Sequence, residues 1–122
     1  MSSAAAQAYA RVANTTSSPR DIEAQALLTA ANKLQAVMTN VDATYAQTFE
    51  ALTFNRKLWS IFLSSVTSSD HPLPVAIRQN VANLGLFVMN QTVSMIAKPQ
   101  REHLSALISI NRELAAGLLG RA

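Results

Sequence analysis

The 122-residue chain contains no cysteine, three glycines and four prolines, and only 14% of its residues are charged. Without cysteine there are no disulfides, thiolate nucleophiles or zinc–thiolate sites. Two histidines, His71 and His103, supply too few imidazoles for a metal site, which needs three or four convergent donors, and both read as lone surface histidines. Gly85, Gly117 and Gly120 leave little scope for the glycine-dependent tight turns of a β protein. No apolar run reaches the roughly 18 to 20 residues of a membrane span. The opening Met1-Ser2-Ser3-Ala4-Ala5-Ala6-Gln7 has neither the basic region nor the apolar core of an export signal, so the expected location is the cytoplasm. There is no HExxH, no GxSxG and no phosphate-cradling glycine loop. The expectation is a protein without catalysis, cofactor or metal.

Acidic residues are also scarce, seven against ten Lys and Arg, which gives a formal charge of +3 and a pI near 9.8. The basic residues are scattered from Arg11 to Arg121, so the high pI reflects little acid and not a basic patch. An RNA-binding reading gathers Arg56, Lys57, Arg78, Lys98, Arg101 and Arg112 into a groove, with Tyr45 or Trp59 to stack on bases. Periodicity instead places those aromatics on one stripe with Phe49 and Phe62, leaving the charges as solvated helix surface. Direct nucleic-acid binding is not expected.

What the chain does have is apolar residues, 49% of the total, broken up by Asn, Gln, Ser and Thr, and rich in the helix formers Ala, Leu, Gln and Met. That is too apolar for a disordered chain, and the length fits one domain over residues 1–122. Ser18-Pro19-Arg20-Asp21 reads as a helix start: a capping hydroxyl, a proline at the first helical position and an acid in the first turn. Ile22, Ala26, Leu27, Ala30, Leu34, Val37, Met38 and Val41 then recur at three- and four-residue steps, predicting an amphipathic helix to about Asn40. Asn40-Val41-Asp42 reads as the cap of a second helix to about Val66, with Tyr45, Phe49, Leu52, Trp59, Phe62, Leu63 and Val66 on its face.

Residues 67–74, polar and ending Pro72-Leu73-Pro74, read as a loop between two halves of one bundle. After it Ile77, Val81, Leu84, Val88, Met95 and Ile96 form a stripe, while Leu86, Phe87, Met89 and Val93 spread apolar surface to neighbouring faces. This helix is expected to be the central one. Lys98-Pro99 reads as the start of the last helix, with Leu104, Leu107, Ile108, Leu114, Ala115 and Leu118 inward and Gly117 and Gly120 loosening its end. A shorter helix around Ala4 to Val12 is expected ahead of the rest. The fold class is all-α: one compact bundle of four long helices plus a short N-terminal helix.

The wide apolar arc over Leu84, Leu86, Phe87, Val88 and Met89 has two readings. It is a buried central helix, or a groove for an incoming amphipathic helix, which the flexible Met38, Met89 and Met95 help to accommodate. Under the second reading the contact residues are Leu84, Phe87, Val88 and Met89, with Arg78 and Arg112 as rim charges. Two segments also resemble each other: Leu52-Thr53-Phe54-Asn55-Arg56-Lys57-Leu58 and Ile108-Ser109-Ile110-Asn111-Arg112-Glu113-Leu114. The Asn-Arg pairs within them sit in apolar helical runs. They serve either intramolecular contacts, such as Arg56 reaching Glu113 or a helix C-terminus, or contacts to a partner.

Ser18-Pro19-Arg20-Asp21-Ile22-Glu23, Ala51-Leu52-Thr53-Phe54-Asn55-Arg56-Lys57-Leu58-Trp59, Leu73-Pro74 with Arg78, Leu84 through Phe87-Val88, and Leu107-Ile108-Ser109-Ile110-Asn111-Arg112 with Gly117-Leu118 resemble the successive signature segments of the FlaF family. They follow the family's order and cover nearly the whole chain. Ser69-Asp70-His71 stands where the family pattern has an Asn, and Ser109 where it has an Asp. The resemblance implies a cytoplasmic regulator of flagellar biosynthesis in flagellated α-proteobacteria that binds flagellin in a chaperone-like way, coupling its synthesis and secretion to assembly. It also implies a link to FlbT, which is associated with flagellin messenger RNA. The alternative is therefore a post-transcriptional regulator of flagellin translation, acting on the messenger directly or in complex with FlbT.

Overall fold

The computed structural model describes residues 19–71 and 73–120. Among these residues the architecture is all-α: α1 (Pro19–Thr39), α2 (Tyr45–Val66), α3 (Val75–Ala97), a 3-10 turn (Arg101–His103) and α4 (Leu104–Leu118). The expected short helix at Ala4 to Val12 lies outside the described residues.

The first helix carries the centre of the fold. Its inward line is Ala24, Leu27, Ala30, Ala31 and Leu34, all fully buried. Three of those five are alanine, and small side chains let neighbouring helices approach closely. Accordingly α1 packs against both α4 and α2. Ile22, expected on the inward stripe, is exposed. The residues α4 buries against this core are Leu104, Leu107, Ile108, Asn111, Ala115 and Leu118. All the apolar positions expected inward on α4 are buried except Leu114, which is half-buried.

The second helix does not start from Asn40-Val41-Asp42. The Asn40 side chain instead accepts the Asp42 amide at 3.0 Å, closing a local turn, and the cap falls on Thr44. The Thr44 hydroxyl accepts the Gln47 amide at 3.1 Å and the Gln47 side chain accepts the Thr44 amide at 2.9 Å. This reciprocal capping box satisfies two donors the helix start would otherwise leave unpaired. From there Ala51, Leu52, Asn55, Trp59, Phe62 and Val66 are buried, with Trp59 and Phe62 edge to face at 5.4 Å between ring centroids. Tyr45 and Phe49, expected on that stripe, are exposed, because the first turns of α2 lie beyond the core.

The expectation that α3 is central is overturned: α3 packs principally on α2 and is the outer helix of the bundle. Its buried line, Val81, Gly85, Val88, Thr92 and Met95, contains small residues and no leucine, which lets α3 lie close against α2. Gly85 permits that approach. A Cβ there would collide with Leu63 Cδ2 and stand 2.9 Å from Leu63 Cγ, so the Leu63 side chain occupies the space any larger residue would need.

The α2–α3 hairpin is fastened at both ends. At one, the Tyr45 hydroxyl donates to the Ile96 carbonyl at 2.8 Å, one of the last-turn carbonyls that lack an intrahelical partner. At the other, the Arg78 guanidinium donates to the carbonyls of Ser68 at 2.7 Å, Leu73 at 3.1 Å and Val66 at 3.3 Å. The last helix begins later than Lys98-Pro99 suggests. Lys98 is extended, with φ −146° and ψ 94°, as the residue before a proline tends to be, and the chain makes the 3-10 turn before α4. Gly120, with φ 74°, closes α4 in the left-handed conformation that glycine adopts without strain.

Candidate docking face on α3

An outer helix needs only one apolar side, yet α3 has apolar residues around most of its circumference. Val88 is fully buried against α2, whereas Val75 is 67% exposed, Leu86 62%, Val93 54% and Phe87 46%. Helical spacing sets Val75, Ala82, Leu86, Met89, Val93 and Ile96 along a single seam, at steps of seven, four, three, four and three. Ala82, Met89 and Ile96 are half-buried, so one edge of the seam merges with the α2 contact and the other is open. An all-round apolar helix is ordinarily buried; here half of it is not.

The six residues singled out from sequence are divided by this geometry. Val88 is core, so it is inaccessible to a partner. Phe87 is on the surface, and Leu84 and Met89 are half-buried at its borders. Arg78 is spent on the three loop carbonyls and works as a clamp inside the chain, not as a rim charge. Arg112 is exposed on α4, the helix that packs on α1, while Phe87 lies on the helix that packs on α2. Sequence reasoning gave too little weight to Leu86 and Val93, the most open apolar residues in the middle of the helix; their seven-residue separation was the available signal.

The two similar segments do meet. Asn111 donates from Nδ2 to Asn55 Oδ1 at 2.8 Å and to the Leu27 carbonyl at 3.4 Å, and its Oδ1 accepts from Trp59 Nε1 at 2.9 Å. The asparagines are therefore fully buried intramolecular partners, while Arg56 and Arg112 face solvent. Among the described residues Arg56 and Glu113 form no ion pair. His71 is likewise no lone surface group. Its Nε2 lies 3.1 Å from both carboxylate oxygens of Glu23, and its Nδ1 accepts the Leu73 amide at 3.2 Å. An accepting Nδ1 assigns the proton to Nε2.

A second apolar groove runs along α2, lined by Ala46, Phe49, Glu50, Thr53, Phe54 and Lys57. It differs in character because it carries charge, and Lys33 Nζ sits 4.9 Å from the Phe54 ring centroid, a cation–π contact. Among the described residues no group of three or more His, Asp or Glu gathers as metal ligands would, and no helix is long and apolar enough to cross a membrane.

No curated protein and no solved structure matches the chain. The family model described as flagellar protein FlaF matches residues 5–118. That match spans all four helices and the loops between them, and the chain belongs to the FlaF family of flagellar proteins.

Proposed function

We propose that the chain is a non-catalytic, chaperone-like binding protein of the cytoplasm that holds unassembled flagellin and so couples flagellin synthesis and secretion to flagellum assembly. The observation that carries this reading is the open apolar seam of α3, with Leu86 and Val93 exposed in the middle of a helix that, among the described residues, packs principally on α2. Flagellin's terminal segments are amphipathic helices that pack only in the filament. Unassembled, they expose apolar stripes prone to aggregation, and laying such a stripe along the α3 seam is helix-in-groove recognition.

A calorimetric titration of the full chain with monomeric flagellin tests this. Saturable binding is expected, with a negative heat-capacity change from apolar burial and weak dependence on salt. Leu86→Asp and Phe87→Asp are expected to abolish it while helicity is retained. Absence of binding to flagellin sinks the reading. Binding to flagellin messenger RNA that falls steeply with added salt, with or without FlbT, would replace it with the translational one.

A further inference from the structure

We propose that the α3 seam is closed in the free protein by a second copy of the same chain, with the two α3 helices antiparallel.

Charge is the first ground. The chain carries a net +3, so charge as a whole opposes association of two copies and favours an uncharged face for it. Of the 23 residues of α3 the one charged residue is Arg78, and its guanidinium is turned into its own loop carbonyls. The open flank beside the seam presents Asn83 and Asn90, both exposed. A copy therefore sets amide beside amide, and nothing across the contact must lose a hydrated charge. A charged partner, nucleic acid included, gains nothing from such a face.

Side-chain size along the seam is the second ground. Antiparallel helices align each a position with a d position of the partner. A twofold axis between residues 87 and 88, near the middle of α3, sets Leu86 against Met89 of the copy. The same operation sets the small Ala82 against the branched Val93. Both pairings occur twice by symmetry, which gives four apolar layers in which large meets flexible and branched meets small, the alternation close packing requires. The contact is confined to one helix per chain. The dimer is accordingly reversible.

The inference uses the same face as the proposed flagellin binding but does not depend on it, since it is measured on the chain alone. Sedimentation velocity of the full chain is expected to show the mass moving from one chain toward two across roughly 1 to 100 µM, the range of a modest interface. Leu86→Asp, at an exposed site, is expected to hold the mass at one chain throughout with an unchanged helical circular-dichroism spectrum. Should that variant unfold, Leu86→Gln serves in its place. Because the native chain has no cysteine, register can be read directly: an equimolar mixture of Ala82→Cys and Val93→Cys chains is expected to form the mixed disulfide at several times the yield of either variant alone. A single-chain mass at every concentration overturns the dimer. A dimer in which Ala82→Cys cross-links to itself as readily as to Val93→Cys overturns the antiparallel arrangement. Failure of flagellin titrations with a dimer present would leave this inference standing and remove the other.

Discussion

Asn111 donates to Asn55 across the core at 2.8 Å while its own side-chain oxygen holds the indole N–H of Trp59. The two asparagines are chemically equal but unequally bonded. Asn111 uses both ends of its amide, whereas the Asn55 Nδ2 has no partner among the described residues. Replacing either by alanine removes similar volume, so the difference between the two variants isolates the hydrogen bonds. Asn111→Ala orphans a buried donor on Trp59 and a buried acceptor on Asn55 and is expected to cost about 2 to 4 kcal/mol, against about 1 kcal/mol for Asn55→Ala. Urea denaturation followed by the fluorescence of Trp59, the one tryptophan of the chain, measures both. Equal losses would contradict the assigned directions of these bonds.

The fit of Leu63 against Gly85 predicts a reversal of sign. Alanine is favoured over glycine in a helix interior by about 1 kcal/mol, but overpacking a filled contact costs about 1 to 3 kcal/mol. With Leu63 present, Gly85→Ala is therefore expected to destabilise the protein slightly, by lifting α3 off α2. In a Leu63→Ala background the obstructing atoms are gone, and the same change is expected to stabilise by about 1 kcal/mol. A double-mutant cycle in thermal unfolding reads the coupling. The idea fails if Gly85→Ala stabilises both backgrounds equally.

These contacts also show what the sequence could and could not convey. Some local chemistry was legible, as in the proline-bounded loop and the apolar spacing of α4, but the Thr44–Gln47 capping box and the delayed start of α4 were not. What covers an apolar face was not legible either, because periodicity reports the face and not its neighbour. The alanine-rich line of α1 looks weaker than the valine- and leucine-rich α3, yet smallness is what lets α1 take neighbours on two sides. For the same reason Phe87, Val88 and Met89 looked like one site. Successive residues turn by about 100° on a helix; periodicity already set Val88 on the inward stripe and Leu86 off it, and the packing adds that Phe87 is open while Met89 sits half-buried. The Glu23–His71 pair, 48 residues apart, left no local signal at all.

Arg78 offers a test of whether a basic side chain contacts a partner or its own chain. Its guanidinium reaches three carbonyls in a fork that lysine does not reproduce. Arg78→Lys is expected to cost about 1 kcal/mol and to speed amide hydrogen exchange in residues 67–74, while flagellin affinity stays unchanged. Phe87→Asp is expected to do the reverse, sparing the loop and abolishing binding. Hydrogen exchange combined with calorimetry on the two variants separates the roles. Lost affinity in Arg78→Lys with an unaltered loop would restore Arg78 as a contact residue.

Glu23 holds the other side of the same loop, and a neighbouring acid supplies the control. Its carboxylate accepts from Ser65 Oγ at 3.0 Å as well as from His71 Nε2, so one side chain of α1 fixes both the last turn of α2 and the residue where the chain turns toward α3. Asp21 lies in the first turn of α1 and gains from the helix dipole, worth about 0.3 to 1 kcal/mol. Asp21→Ala is expected to lose about that much, whereas Glu23→Ala leaves a largely buried imidazole N–H without its acceptor and is expected to lose about 2 to 3 kcal/mol. In the Glu23→Ala protein, His71→Ala is expected to add little further loss, because the pair acts as one unit. If Asp21→Ala and Glu23→Ala prove equally mild in urea denaturation, the loop is held by Arg78 alone and the Glu23–His71 contact contributes nothing to folding.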